Sequence, residues 1–311
     1  MKNEIKRVLV TGATGHIGYN ICMAILESKI ELIVLGRQNE SNFRQVFSLP
    51  CKYFQWKKPA ESLPPLQAMD VDAVIHLMGE PLDGRRWTEQ RKLELHSSRI
   101  NTTKNMVNAI EGAAGRIKIL ITASAIGIYG EGGDNTLTER SKISDGFLAK
   151  LCQEWEQEAK KSSCRNVQLR FGIVLANDSR ALKKMLPIFE NGFGGPLSSG
   201  NQWMSWVHIE DVVGITMKTL HDPKLAGQIN IVSPKPVRNR EITKLITDFH
   251  ISCVKDFLRK KNISLGSINI VGFHGQTIFH KPDQCWTWQL GDGQQLSNSL
   301  NIPVISNFRY R

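Results

Sequence analysis

The chain's first apolar run leads straight into a glycine-punctuated turn, "RVLVTGATGHIGYN" (7–20). A β-branched run, then glycines at 12, 15 and 18, then an amphipathic stretch leave few folds open. Gly12 permits a tight turn, Gly15 lets the backbone approach a pyrophosphate, and Gly18 lets the following helix pack against the strand. That helix then offers N–H groups and a positive dipole end to an anion. The candidate cofactor-binding residues here are Gly12, Thr14, Gly15, His16, Ile17 and Gly18.

The rest of the chain repeats the alternation. Continuously apolar runs at "RVLV", "ELIVLG", "DAVIHLM", "IKILITAS" and "NVQLRFGIVL" read as parallel strands buried on both faces. Between them, helical patterns are expected near 17–28, 87–111, 147–161 and 181–191. "IEDVVGITMKTLHDP" adds a helix opened by acids, and "GQINIVS" a further strand. The expected fold class is α/β, a Rossmann-type doubly wound parallel sheet.

Arg37 narrows the nucleotide. It ends the second strand about twenty residues after the glycines, where an acidic residue would bind the ribose hydroxyls. A guanidinium there suits a 2′-phosphate through charge-assisted contacts, so the expected cofactor is NADP, with a surface arginine as the plain alternative.

Composition excludes some classes. The formal charge is +11 over 311 residues, but the basic pairs are interspersed with acids, and no stripe alternates with aromatics. Nucleic acid is therefore not an expected partner, and a small anionic substrate is. No apolar run is long enough to cross a membrane. "MKNEIKRVLV" enters a strand without a signal-peptide core, and six scattered cysteines form no C-x-x-C pair. A cytoplasmic location with reduced thiols follows as the expectation; the oligomeric state is left open.

Further segments carry a resemblance. "HLMGEPL" (76–82), "RRWTEQRK" (85–92), "SSRINTTKNMVNAI" (97–110), "TASAIGIYGEGGD" (122–134) and "GGPLSSGNQWMSWVHIEDVV" (194–213) go with the G-x-x-G-x-x-G turn. From about Arg7 to about Thr243 the chain resembles the atypical, nucleoside-diphosphate-sugar epimerase-like (cell-division-inhibitor-like) subfamily of extended short-chain dehydrogenases/reductases. The resemblance implies an NADP-type cofactor lined by Leu77 and Gly79, and oxidoreduction or epimerisation at a hydroxyl-bearing carbon, with a sugar nucleotide as one option. It implies a catalytic Ser/Thr at Ser124, although counting back from "YG" reaches Ala125. Tyr129 is the second catalytic candidate. The Tyr-x-x-x-Lys pair of such reductases, a general acid/base on one helix face, is missing. Leu148 and Cys152 stand at its positions, and "YFQWK" (53–57) is a coincidence on a strand. This departure supports a rival reading as an NADPH sensor without turnover. "NQWMSW" reads as core, or as an aromatic substrate clamp, and His208 and Asp211 as a helix start.

The last fifth has another character. "SINIVGFHGQTIFHKPDQCWTWQLGDGQQLSNSLNIPVISNFR" resembles an internal stretch of anhydro-N-acetylmuramic acid kinase. "INIVGF" and "IPVISNF" read as strands, "HGQT" and "LGDG" as turns, and "GQQLSNSL" as a short helix. The expected domains are 1–245, NADP-binding, and 246–311, a kinase-like fragment with an incomplete core. Phosphate cradle, metal ligands and base are not all present, so His274, Gln276 and His280 are expected to be motif residues without a working kinase site. A gene fusion, with a non-functional product as its limiting case, accounts for the join.

Overall fold

The computed structural model describes residues 5–82, 85–176, 201–273, 276–281 and 286–306. The helix expected at 181–191, the segment "GGPLSSG" (194–200) and His274 lie outside them. The chain divides into two units, Met1–Val174 with Val207–Val232, and Leu175–Trp206 with Ser233–Arg311.

The first unit is built on strands β1 (Arg7–Thr11), β2 (Glu31–Gly36), β3 (Lys52–Gln55), β4 (Ala73–His76), β5 (Ile119–Ala125), β6 (Arg165–Phe171) and β7 (Gly227–Ile231). They form one parallel sheet in the order β7-β6-β5-β4-β1-β2-β3. The order reverses between β1 and β4, which opens a crevice at the carboxyl ends of those two strands. Helices α1 (His16–Glu27), α2 (Glu40–Val46), α3 (Glu89–Ser97), α4 (Ile100–Gly112), α5 (Phe147–Ala159) and α6 (Ile209–His221) accompany the strands. The apolar strand runs are buried as their sequence requires: Val8, Leu9, Val74, Ile75, Ile119, Leu120 and Ile121 are fully enclosed. On one side of the sheet Leu9, Leu35 and Val74 pack with Trp56 and the α4 residues Met106, Val107 and Ile110.

One expected helix is two. The 87–111 pattern breaks at Ser98–Arg99, where Ser98 closes α3 and Arg99, at φ −111, ψ −59, opens α4. Arg99 turns its guanidinium back on the Leu95 carbonyl at 3.2 Å and stacks over Trp155 at 5.3 Å. The break places Ser98 and Arg99 beside the loop after β4.

The second unit has its own small core of Ile251, Phe273, Leu296, Leu300 and Ile302. Helix α7 (Asn239–Lys260) supplies Ile251 and runs unbroken through position 245. Helix α8 (Gly293–Leu300) matches the expected segment and is capped by Asp292, whose carboxylate accepts from the Gln294 and Gln295 N–H groups. The strand of "INIVGF" shortens to Val271–Phe273 and pairs only with Val304–Ser306 among the described residues. "HGQT" is not all turn, because Gln276 and Thr277 open a strand, Gln276–Lys281, which also carries His280 and pairs with Trp286–Leu290. Phe257, Ile263, Ile270 and Ile305 are exposed among the described residues.

Candidate functional site

The glycine turn sits at the crevice. Gly12 has φ +73, and a Cβ there would stand 2.9 Å from the Leu77 carbonyl oxygen. Gly15 N–H donates to the Gly12 carbonyl at 2.9 Å, and a Cβ on buried Gly18 would run into that same carbonyl. Only glycine fits at 12 and 18, and the reason is steric. Helix α1 starts at Gly15 with no side-chain cap and no acid in its first turn. Thr14 is exposed at the tip, and His16 and Ile17 are half-buried in the first helical turn. Leu77 is drawn against this turn because its N–H donates to Thr11, to the carbonyl at 3.3 Å and to Oγ1 at 3.2 Å. Thr11 Oγ1 also meets His76 Nδ1 at 2.9 Å. His76 is fully buried, and burial lowers its pKa to about 4.

A cavity of about 610 Å³ opens beside the ends of β2 and β4, lined by Arg37, Met78, Gly79, Glu80, Arg91 and Ser98, among others. Arg37 is well exposed and donates from Nη1 to Glu80 Oε1 at 2.8 Å. The Glu80 backbone is held on both sides: its N–H donates to Ser98 Oγ at 3.1 Å, and its carbonyl accepts from Arg99 Nη2 at 2.8 Å. Gly79 packs against that guanidinium, with 3.2 Å from a Cβ to Arg99 Cζ. Sequence reasoning found Arg37 and Gly79 but missed Glu80, Arg91 and Arg99. The available signal was the charge of "GEPL" and "RRWTEQRK" next to an apolar strand.

Ser124 and Tyr129 are linked through a buried ion pair that the sequence reading did not place in the site. Arg170 on β6 and Glu156 on α5 are both buried and form a fork, Nε to Oε1 at 2.7 Å and Nη2 to Oε2 at 2.8 Å. Ser124 Oγ donates to Glu156 Oε1 at 2.7 Å. Arg170 Nη1 donates to the Tyr129 hydroxyl at 2.7 Å, which in turn donates to Asn230 Oδ1 at 2.6 Å. Both hydroxyls are thus committed to protein partners. The pattern signal was Arg170 itself, a charge inside the apolar run "NVQLRFGIVL". Ala125, the alternative to Ser124, is half-buried one residue on and carries no side-chain donor. Cys152 packs with Ile128 and Tyr129, and burial pushes its thiol up to about 11.

Other sequence candidates fall outside these clusters. His208 caps α6 by accepting from the Glu210 N–H at 3.4 Å, and Asp211 lies in the same first turn. Trp203, for which a core position was expected, is exposed in the second unit, where Arg238 stacks over it at 4.7 Å. Tyr53 stacks on Phe43 at 4.0 Å, as befits a strand position.

A doubly wound sheet with a glycine turn at its switch point defines a Rossmann-type α/β protein. The model of the NAD dependent epimerase/dehydratase family matches residues 8–232, and the chain belongs to that family. That of anhydro-N-acetylmuramic acid kinase matches residues 224–311, so the chain joins an epimerase-family region to a kinase-like one, as the sequence resemblance indicated. The Arabidopsis thaliana epimerase family protein SDR39U1 homolog, chloroplastic, is 35% identical over 78% of this chain and 70% of its own length. Bacillus subtilis epimerase family protein YfhF is 30% identical over 88% of this chain and 90% of its own length. Among solved structures, human epimerase family protein SDR39U1 with NADPH superposes with a TM-score of 0.67 at 30% identity, covering 76% of this chain and 78% of that one. The nucleoside-diphosphate sugar epimerase from Corynebacterium glutamicum gives 0.65 at 25% identity, covering 99% of this chain and 56% of that one. Among the described residues no helix is long and apolar enough to cross a membrane, and no cluster of side chains is suited to a metal.

Proposed function

We propose that this protein binds NADP(H) and belongs functionally with the epimerases and oxidoreductases that work at a hydroxyl- or carbonyl-bearing carbon of a small molecule. The observation that carries the reading is the steric cradle at Gly12 and Gly18, where any Cβ collides with backbone. Gly12, Thr14, Gly15, His16, Ile17 and Gly18 would hold the pyrophosphate against the start of α1, Leu77 and Gly79 would line the opposite wall, and Arg37 would meet the 2′-phosphate. The human relative crystallised with NADPH supports this choice of cofactor. Bound there, the dinucleotide supplies reversible hydride transfer. The Corynebacterium relative, a nucleoside-diphosphate sugar epimerase by name, favours a sugar nucleotide as substrate.

For the protein's own chemistry, Tyr129 is the group that could move a proton. Its hydroxyl lies between a guanidinium and an amide oxygen, in a chain of hydrogen bonds that reaches Ser124 through Arg170 and Glu156. The same observation favours a second reading. Hydroxyls already committed to a buried ion pair, with Leu148 and Cys152 in place of Tyr and Lys, suit a protein that senses NADPH without turning it over. The kinase-like part, 246–311 as a domain, contributes no transfer chemistry in either reading.

Calorimetric titration of the full chain with NADPH and NADH, with Arg37→Ala alongside, tests the cofactor. Binding lost mainly for NADPH in the variant is expected; a preference for NADH would overturn the assignment of Arg37. Exchange of deuteride from labelled NADPH into a panel of sugar nucleotides separates enzyme from sensor.

A further inference from the structure

Building on the cofactor reading above, we propose that Glu80 sets how strongly this site prefers a 2′-phosphorylated adenosine nucleotide over an unphosphorylated one. Arg37 does not face the cavity unopposed. Its Nη1 is held by Glu80 Oε1 at 2.8 Å, so an incoming phosphate and the Glu80 carboxylate compete for one guanidinium.

The carboxylate has a second seat. Glu80 Oε2 lies 3.9 Å from Arg91 Nη1, on a buried side chain in the wall of the same cavity. Arg91 already donates to Glu94 Oε2 at 2.8 Å and to the Pro81 carbonyl at 2.5 Å. Its Nε, however, has no hydrogen-bond partner among the described residues. A buried guanidinium with a donor in reserve is costly unless something comes to use it. The Glu80 backbone cannot follow the exchange, being pinned by Ser98 and Arg99, so the handover from Arg37 to Arg91 is a rotation of the Glu80 side chain alone.

Charge balance gives the direction. Arg37, Arg85 and Arg91 face Glu80 and Glu94 around the cavity. Neutralising Glu80 raises the local net charge by one unit and removes the competitor, which favours a phosphate carrying about −1.5 to −2 charges. A ribose 2′-hydroxyl is a different guest: it can donate to the carboxylate, so Glu80 helps the hydroxyl that it hinders as a phosphate. Glu80 therefore narrows the preference that Arg37 alone would impose.

The test titrates the full chain with 2′,5′-ADP and with 5′-AMP, for the wild type, Glu80→Gln, Glu80→Ala, Arg37→Ala and Arg37→Ala/Glu80→Gln. Both Glu80 variants are expected to bind 2′,5′-ADP about fivefold more tightly, the size of a released, partly exposed ion pair, while 5′-AMP is weakened. With Arg37 already removed the gain should shrink to less than about twofold, because the competitor then has nothing to hold. If 2′,5′-ADP binds and depends on Arg37 but ignores both Glu80 variants, the role of Glu80 is wrong and the cofactor reading stands. An equal shift of both nucleotides also removes it. Failure of the wild type to bind either nucleotide overturns the cofactor reading and this inference together.

Discussion

Replacing one member of the Glu156–Arg170 pair should be far more costly than replacing both. The two side chains are 3% and 5% exposed, so each charge has left water and depends on the other. In Arg170→Met the Glu156 carboxylate keeps, among the described residues, only the Ser124 hydroxyl; in Glu156→Met the Arg170 Nε and Nη2 lose their acceptor. Breaking a buried pair from one side typically costs about 3–5 kcal/mol, against a total stability of about 5–15 kcal/mol for a domain. Methionine is close to glutamate in helix propensity, so α5 itself adds little. In Glu156→Met/Arg170→Met both charges go, and the remaining costs are the lost acceptor of Ser124 and the lost donor to Tyr129, about 1 kcal/mol each. The double variant should therefore be more stable than either single one. Urea unfolding followed by far-UV circular dichroism, compared at equal slope, gives the cycle. Single variants that cost under about 1 kcal/mol, or a double variant whose loss equals the sum of the singles, would refute the reasoning.

Other consequences can be measured directly. His76 is depressed to about 4 by burial, so between its unfolded pKa of about 6.5 and about 4 the unfolded chain binds a proton that the folded chain refuses. Stability should fall by about 3 kcal/mol as pH drops through that window, and His76→Gln should flatten the slope of urea midpoint against pH there; a slope the same as wild type counts against it. Gly12→Ala forces a Cβ to 2.9 Å from the Leu77 carbonyl at φ +73, and it should weaken NADPH at least about tenfold and lower the unfolding midpoint, with unchanged calorimetric binding as the contrary result. Burial raises the Cys22 and Cys152 thiols while Cys253 is exposed, so alkylation at pH 8 with peptide mapping should label Cys253 ahead of Cys22 and Cys152; early labelling of Cys152 would show that its pocket is open.

Much of the architecture was legible because it is local. Continuous apolar runs identify strands buried on both faces, and β2 and α8 fall where the pattern places them. The 87–111 pattern reads as one helix because periodicity alone does not register Arg99 folding back on Leu95, a contact between side chain and backbone. Trp203 reads as core or clamp because an apolar residue on a strand reads as inward-facing, yet the arginine that covers it is thirty-five positions away in sequence.

The sequence by itself determined the glycine turn, the parallel sheet and the change of character in the last fifth. Each of these follows from backbone sterics or from periodicity within a few residues. Only the tertiary structure decided what the polar side chains do. Ser124 and Tyr129 lie five positions apart, but their partners arrive from α5, β6 and β7. Arg37 meets Glu80 across the ends of two strands, forty-three residues on. A buried charge must find its counter-charge wherever the fold brings one, and chain order holds no record of that meeting.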